Sequence, residues 1–586
     1  MHIIKTAFKK SWPNTLDDSI FLGDWCIKGD VDKKKLSKSK VLEYHFDDRK
    51  NLNTSKDIID DIYYELLEIL TKVLNKLFAK NYNKRYWEVI WGFWLYMFVL
   101  VIYDRNLSIK NALKNFPKST TNVLDPKSYI TVLNTRDYMD YIQDDFFNFQ
   151  IYSSLWKMHN GNVNSIISTL YQKKKSDYSI YNSLNNLLMS SLKLFFRPIF
   201  DRSTITFFST GLPKKMLLKL IIKFKIIPFE LFVNKNISET QKVAKNLTLR
   251  SKLKNSLYVY KNKNNPFLNI CLKMISDHVP ISILERYRYY VEINRKNIKR
   301  ANFLFSSNGF INDQWNILCA ENIKNGAKLI NCQHGGGYGI QKFSGVEDYE
   351  LRVADKYITT GWNRRPREKF IAMPLPFINK MKNSIRRKNN NKIFYIRNDY
   401  PRYLYRIFSH PIGKYVGMYR KSSDRFLKNL DKKLYYNTLV RLYQKDQDES
   451  YDIFKKNHPQ VKYDNYKKTF EYQLKNCKIA ISDTNQTTFL QSIALGIPTI
   501  IFWDPLCTEI NSDAKNLMNK LNKVGILHYS PESAANFINK NYECINVWWM
   551  SDEVRKVRNS FISKYANTSN NWENDWIQFI KKYLVE

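Results

Sequence analysis

The sequence predicts an α/β protein of two parallel-sheet domains, on three observations. A strand, helix, strand series runs from Asn302 to Cys332, a second runs from Lys478 to Trp503, and between them Lys380 to Lys392 (KMKNSIRRKNNNK) is highly charged and apolar-poor. Parallel strands need a crossover, and a helix at this spacing supplies it. A stretch with so little to bury reads as a linker. The expected division is an N-terminal α/β domain with a helical insertion over 1–380 and a second α/β domain over 393–586, with a cleft between them.

Composition bounds the partners. The chain has 586 residues, 44% hydrophobic and 15% aromatic, enough for two or three cores. Its formal charge of +40, from 94 Lys+Arg against 54 Asp+Glu, is spread along the whole length. That suits an anionic membrane face, an acidic glycan or a nucleotide phosphate, and a genome rich in Lys, Asn, Ile and Tyr codons accounts for it equally well. No nucleic-acid module is recognisable, so nucleic acid is not an expected partner. The seven cysteines form no CxxC pair and mostly adjoin apolar residues, as buried thiols of a reducing compartment do. MHIIKTAFKKSW lacks a signal-length apolar region. Val89 to Tyr103 falls short of the roughly 20 residues a spanning helix needs, so it reads as a core helix, with membrane insertion the alternative. The expected location is cytoplasmic, with peripheral contact at the anionic inner membrane face.

Taken in order, Ile3 to Cys26 ends a strand at Leu22-Gly23 and places Asp24 at its exit. Parallel sheets put ligands at such exits, although Asp24 equally reads as a cap beside a core Trp25. Lys56 to Phe78 repeats apolar residues at helical spacing (Ile59, Ile62, Leu66, Ile69, Leu70, Val73). Asn83 to Arg105 is apolar enough to be buried on most sides, and Arg85 and Arg105 at its ends either face an anionic substrate or form salt bridges. Residues 110 to 190 carry no assignable chemistry. Leu217 to Leu231 is basic and apolar, as a core helix or a membrane-surface contact is. Strands are expected at Lys328–Cys332, Lys356–Thr360, Ile393–Ile396 and Val524–Tyr529, a helix at Asp313–Asn325, a long helix over Leu427–Tyr443, and a helical tail from Asp552.

Three stretches carry chemistry. In LINCQHGGGYG a strand delivers Gln333 and His334 to Gly335, Gly336 and Gly337, whose freedom at positive φ brings amides close to an anion. No Gly-Lys-Ser/Thr follows, so this is not a Walker loop. His334 serves either as general base or as anion binder, with Glu347, Glu350 and Asp24 competing for the base role. In SDTNQTT, Ser482, Asp483 and Thr484 end a strand while Thr487 and Thr488 open a helix, whose free amides and positive dipole end suit phosphate; the same residues also cap helices with no ligand. His458-Pro459 reads as a strand exit, proline holding an extended histidine with near-neutral pKa toward a phosphate. His410-Pro411 is the same dipeptide with no hydroxyl cluster after it, and is given no role. No paired His or Cys spacing and no DxD before a strand is present, so transfer without metal or cofactor is expected.

These motifs, FLGDWC, RYWEVIWGFWLY with a trailing DR, QHGGGYG, ADKYITTGW and SDTNQTTFLQSIALGIPTIIFWDP, in this order over most of the chain, resemble transferases of surface-carbohydrate (O-antigen type) gene clusters. The series is more distantly similar to capsule Kdo transferases and bacterial sialyltransferases. Both groups have two Rossmann-like domains facing across a cleft, the GT-B architecture, and use CMP-activated acidic sugars. Teichoic-acid glycerophosphotransferases, also GT-B, release CMP from CDP-glycerol. By position the resemblance implies that His458 and Pro459 contact CMP, that Ser482, Thr487 and Thr488 hold its phosphate, and that His334 stands at the reacting centre. The paired serines of the phosphate motif read Thr-Asn-Gln-Thr-Thr here, and the acidic base motif of sialyltransferases is missing. The implied activity moves an acidic nonulosonate from a CMP donor to a surface-polysaccharide or O-antigen precursor, a glycan or lipid-linked acceptor. The alternatives are polyol-phosphate transfer from a CDP-glycerol-type donor and, from charge alone, a non-catalytic polyanion-binding protein.

Overall fold

Three wholly parallel sheets follow one another along the chain. The computed structural model describes residues 1–27, 40–171, 203–233, 244–298, 300–382, 391–443 and 450–585, so most of the expected linker, 383–390, lies outside the described residues. The first sheet holds β1 (His2–Ile4), β2 (Ser19–Phe21), β3 (Lys40–Val41), β4 (Thr120–Leu124) and β5 (Asn162–Ile167), in the order β3-β2-β1-β4-β5. The second holds β6 (Ile205–Phe208), β7 (Ile227–Pro228), β8 (Phe303–Ser306), β9 (Lys328–Cys332), β10 (Lys356–Thr359) and β11 (Phe370–Ala372), in the order β11-β10-β9-β8-β6-β7. The third holds β12 (Ile393–Ile396), β13 (Thr438–Arg441), β14 (Lys462–Tyr463), β15 (Ile479–Ser482), β16 (Thr499–Phe502) and β17 (Leu527–His528), in the order β14-β13-β12-β15-β16-β17.

The second and third sheets make the facing GT-B pair that the sequence predicts. Their strands are short apolar runs, and IFYI, IAIS and TIIF of the third sheet are buried at every residue, as parallel strands covered on both faces must be. Counted from its own first strand the third sheet runs 3-2-1-4-5-6, which reverses direction between β12 and β15. Ligands of such sheets sit beyond the strand ends at that reversal. The register pairs Ile396 with Ser482, so Arg397 and Asp483 leave the sheet side by side.

The expected helical insertion contains the first sheet as well as helices. The strand expected to end near Leu22 is β2, Ser19–Phe21, while β3, with two residues, is too short to show alternation. The insertion's spine is the helix Lys84–Asn115, begun by Asn83 accepting from the Tyr86 amide at 3.0 Å. This helix is long and apolar enough to cross a membrane, yet its most apolar stretch is wholly buried inside the protein. It packs against the helices Arg49–Phe78, Asp145–Met158, Asp313–Ile323 and Gly345–Val353, each large apolar side chain so buried contributing about 1.5–3 kcal/mol. In the helix Lys214–Phe224, Met216, Leu220 and Ile221 face the core while Leu218 and Ile222 are exposed among lysines.

Two expectations need correction. Leu427–Tyr443 is not one helix: Lys414–Lys428 ends at Asn429, a short turn of helix covers Lys432–Tyr436, and Thr438 begins β13, where β-branched Thr438 and Val440 suit a strand. The domain set at 393–586 does not stay on one sheet either. The helix Trp572–Ile580 returns to the second sheet, burying Trp572, Trp576 and Phe579 against Phe207, Phe305 and Ile358, with Trp576 Nε1 donating to the Pro374 carbonyl at 2.9 Å. The arm after β12, Tyr400 to Pro411, also leaves its sheet. Arg402 pairs with Asp145 at 2.8 and 2.9 Å, Tyr403 donates to Asp145 at 2.6 Å, and the Leu404 carbonyl accepts from Arg105 at 2.8 Å.

Candidate active site

A cavity of about 810 Å³ opens between the second and third sheets. From the second sheet it is lined by His334, Gly335, Gly336, Tyr338 and Gln341; from the third by Arg397, Asn398, Arg406, His410, Gln486, Thr487 and Thr488.

The glycine loop follows β9 and meets the other sheet directly. The Gly336 amide donates to Thr487 Oγ1 at 2.8 Å. A Cβ on Gly336 would lie 2.4 Å from both the Gln486 carbonyl carbon and the Thr487 nitrogen. The loop's amides were expected to meet an anion, and this one meets the N-terminus of the helix Thr487–Ala494 instead. Gly337 takes a left-handed φ of +87°, which glycine adopts without strain. Gln333 is buried and does not line the cleft: its Nε2 donates to the Gly335 carbonyl at 2.8 Å and its Oε1 accepts from Trp362 Nε1 at 2.8 Å. Glu347 is likewise taken, accepting from the Gly339 amide at 2.9 Å and pairing with Arg364 at 2.5 Å; burial raises its pKa against the pull of Arg364. Both residues hold the loop and neither is placed for proton transfer.

His334 faces the cavity with Tyr338 hydroxyl 3.0 Å from Nδ1 and Glu350 Oε1 at 3.7 Å. Burial first, then the charge of Arg406, lowers its pKa to about 4. Burial pushes Glu350 well above the carboxylate range, and Tyr357 donates to its other oxygen at 2.9 Å. At neutral pH this corner therefore holds a neutral imidazole beside a carboxyl that burial drives toward its protonated form.

In the third sheet the hydroxyl-rich exit divides by role. Ser482 clips its own turn, donating to the Thr484 carbonyl at 2.9 Å. Asp483 is buried beneath the cavity, accepting from Tyr395 at 3.0 Å, Ser423 at 3.2 Å and the Asn398 amide at 3.2 Å; burial raises it to about 6. Thr488 lines the cleft, and Thr487 does so while tied to Gly336. The two His-Pro dipeptides exchange places relative to expectation. His458 ends the helix Ser450–Asn457 and precedes β14, which puts it at the edge of the sheet opposite the strand exits. It is buried between Asp424, 3.0 Å from Nε2, and Tyr435, 3.2 Å from Nδ1, and Pro459 is exposed on the surface. His410, to which the sequence assigned nothing, lines the cavity.

The remaining expected residues lie elsewhere. Asp24 sits exposed on the turn after β2. Arg85 binds Asp355 and the Val353 carbonyl at 2.8 and 2.9 Å. Arg105 is fully buried against Asp104, Asn148 and Leu404.

What the sequence did not reveal is a set of cavity-lining residues whose side chains carry buried nitrogens with no hydrogen-bond partner in the protein: Arg397 Nε and Nη1, Arg406 Nε, Gln341 Nε2, Gln486 Nε2 and His410 Nδ1. Arg397 is 2% exposed, stacked over Phe454 at 4.4 Å. The usable signal was a cation placed directly after the strand Ile393–Ile396. A buried unpaired donor costs about 1–3 kcal/mol, more when charged, so a cluster of them marks a ligand whose atoms accept. Among the described residues no group of three His, Cys, Asp or Glu is placed to hold a metal ion.

Of solved structures, the wall teichoic acid polymerase TagF is similar over 68% of this chain and 98% of its own, at 11% identity and a TM-score of 0.30. The UDP complex of S. aureus MnaA is similar over 66% and 97%, at 10% identity and 0.39. MurG of Acinetobacter baumannii is similar over 65% and 99%, at 10% identity and 0.31. No curated protein sequence matches. The sequence profile of the LIC12162 family transferases matches residues 1–580, and the chain therefore belongs to that family of transferases.

Proposed function

We propose that the cleft takes a CMP-linked acidic sugar and transfers it, without metal, to a hydroxyl of a surface-polysaccharide or O-antigen precursor. The observation that carries this reading is the set of unpartnered buried nitrogens on cavity-lining residues, three of them from the guanidiniums of Arg397 and Arg406, which fits an anionic, acceptor-rich donor such as a sugar nucleotide. In this reading Arg397, the Gln486 amide and the free amides of the helix Thr487–Ala494 hold the phosphate. His334 takes the acceptor's proton as the bond to CMP breaks. Tyr338 donating to Glu350 lets Nδ1–H donate to Tyr338 and leaves Nε2 with its lone pair; this tautomer is an assignment from the hydrogen-bond chain. The same two guanidiniums also suit a diphosphate such as CDP-glycerol, and the mass of the product separates sugar from polyol-phosphate transfer.

Calorimetry with CMP, UDP, GDP and ADP in EDTA tests the donor class. The expected result is selective CMP binding that His458→Ala retains, since His458 stands away from the cavity. Preference for UDP or GDP would discard the acidic-sugar donor.

The base role has a pH signature. Protonated His334 cannot accept a proton, and its pKa of about 4 means the neutral form persists down to that pH. The profile of kcat/KM for donor, which reports the free enzyme, is expected to stay flat from pH 8 to about 5, where an unperturbed histidine would already fall near 6.5. Bound anion beside Arg406 favours the imidazolium, so the acid limb of kcat is expected at higher pH than that of kcat/KM. An acid limb of kcat/KM near 6.5 would remove His334 from the role.

A further inference from the structure

Four Lys and Arg residues line the cavity; besides Lys380 and Arg441, which is paired with Asp464 at 2.6 Å, the guanidiniums of Arg397 and Arg406 form two poles that act on different neighbours. Arg397 leaves β12 next to Asp483, Tyr395 and Tyr419, and its charge is felt there. Arg406 lies farther along the arm, and its charge is felt by His334 and His410, both of which it drives toward the neutral form. Phosphate binding at the switch point accounts for the first pole. The second is left with nothing to hold.

We propose that Arg406 and His410 form a second anion seat, separate from the Arg397 pole, that grips the donor's other anionic group beside His334; this rests on the cleft binding a sugar nucleotide. Arg406 Nη1 lies 3.4 Å from His410 Nε2, and neither Arg406 Nε nor His410 Nδ1 has a partner in the protein. His410 is 9% exposed and lines the cavity. No carboxylate among the described residues pairs with Arg406. Arg406 stacks on Tyr405 at 5.2 Å and His410 packs against Tyr400 and Tyr405, but these contacts leave Arg406 Nε and His410 Nδ1 without acceptors, which a ligand oxyanion would supply.

The arm that carries the seat is fixed before any ligand arrives. Its Leu404 carbonyl accepts from buried Arg105, Arg402 and Tyr403 grip Asp145, and the Phe408 carbonyl accepts from the Glu509 amide at 3.0 Å. Arg105, expected to touch the anion itself, instead positions Arg406 two residues beyond the carbonyl it holds. A seat so supported loses little freedom on binding. The occupant is an oxyanion close to the reacting carbon, either a carboxylate on the transferred sugar or a second phosphate. Its charge would offset that of Arg406 and make His334 more basic when the donor is in place.

The test compares CMP, CDP, CDP-glycerol and CMP-N-acetylneuraminate by calorimetry on the full chain, with Arg406→Met and Arg397→Met, thermal melting serving to confirm folding. A seat for one added anion predicts that wild type binds the ligand with the matching second anion at least ~10-fold tighter than CMP, one charge-assisted hydrogen bond being about 1.5–3 kcal/mol. Arg406→Met should erase that advantage and leave CMP itself within about threefold, whereas Arg397→Met should weaken all four. An advantage held by CMP-N-acetylneuraminate assigns the seat to a carboxylate; one shared by CDP and CDP-glycerol assigns it to a second phosphate. Equal loss for CMP and the larger ligands in Arg406→Met, or no loss at all, overturns the seat while leaving the CMP reading standing. A wild type that binds none of the four removes that reading and the seat with it. His410→Ala with the same selective loss would place the imidazole in the seat as well.

Discussion

Arg397→Met is expected to lower nucleotide affinity by about 30- to 1000-fold while leaving the melting temperature unchanged or raised. The first half follows from the two guanidinium nitrogens, Nε and Nη1, that are buried in the cleft with no protein partner. Each hydrogen bond to a charged group contributes about 1.5–3 kcal/mol, so losing one or two removes roughly 2–4 kcal/mol, which is the stated range at 1.4 kcal/mol per decade. The second half follows from the same observation read in the empty protein. Arg397 is 2% exposed and stacked on Phe454, so its charge is desolvated and its Nε and Nη1 lack hydrogen bonds in the protein, while Asp483 and Asp399 favour the charge only through space. Methionine keeps the stack and discards the charge, and apolar replacement of a poorly paired buried charge is neutral or stabilising. Calorimetry and differential scanning on one variant read both halves. Lower affinity with a much lower melting temperature would mean that Arg397 supports the fold, and unchanged affinity would remove it from the site.

The parts of this molecule that were legible in the sequence are those whose signal is local. β12, Ile393–Ile396, is an unbroken apolar run bounded by polar residues, and β9 holds a buried Leu329-Ile330 pair ahead of the glycine run; parallel strands announce themselves by such runs. The histidine after β9 follows from the strand's end, and it does face the cavity. What could not be read is information held between elements. A His-Pro dipeptide looks the same after a strand and after a helix; only the strand order shows that His458 stands before β14 and that His410 rides an arm into the cleft. Gln333 and Glu347 have the residue types of catalytic groups, and both are consumed by the turn between them, through Trp362 and through Gly339. Arg105 ends the apolar run inside the helix Lys84–Asn115 and pairs with the adjacent Asp104, and nothing near it in sequence says that its partners also include the carbonyl of Leu404. The strand pattern near Ile3 and the strand end at Leu22 were legible, but not that they belong to a separate sheet, because β1 to β3 have two or three residues each and their partners β4 and β5 begin only about a hundred residues on.

The glycine run is the case where the correct residue was chosen for the wrong contact, and it supports the other large effect. Gly336→Ala is expected to reduce kcat at least ~100-fold, with CMP affinity kept within a few-fold and little change in melting temperature. Gly336 has no left-handed φ, so alanine meets no backbone strain there; the obstacle is space. Its Cβ would fall 2.4 Å from two backbone atoms at the start of the helix Thr487–Ala494, and backbone cannot swing aside as a side chain can. The loop must withdraw, which breaks the bond from the Gly336 amide to Thr487 and carries His334, two residues earlier, away from the donor side. A displacement near 1 Å between reacting groups is worth about 100-fold in rate. Arg397 belongs to the opposite sheet and does not move with the loop, hence the spared affinity. Gly335→Ala is the graded comparison, since its Cβ would meet only the Thr487 hydroxyl at 3.0 Å, which relieves the contact by yielding a few tenths of an ångström and so strains rather than removes the bond from the Gly336 amide; a milder loss is expected. Single-turnover rates set beside CMP calorimetry distinguish the outcomes. Full activity in Gly336→Ala would mean that chemistry occurs with the two sheets farther apart than they stand here, and that the contact between Gly336 and Thr487 is not part of the reacting state.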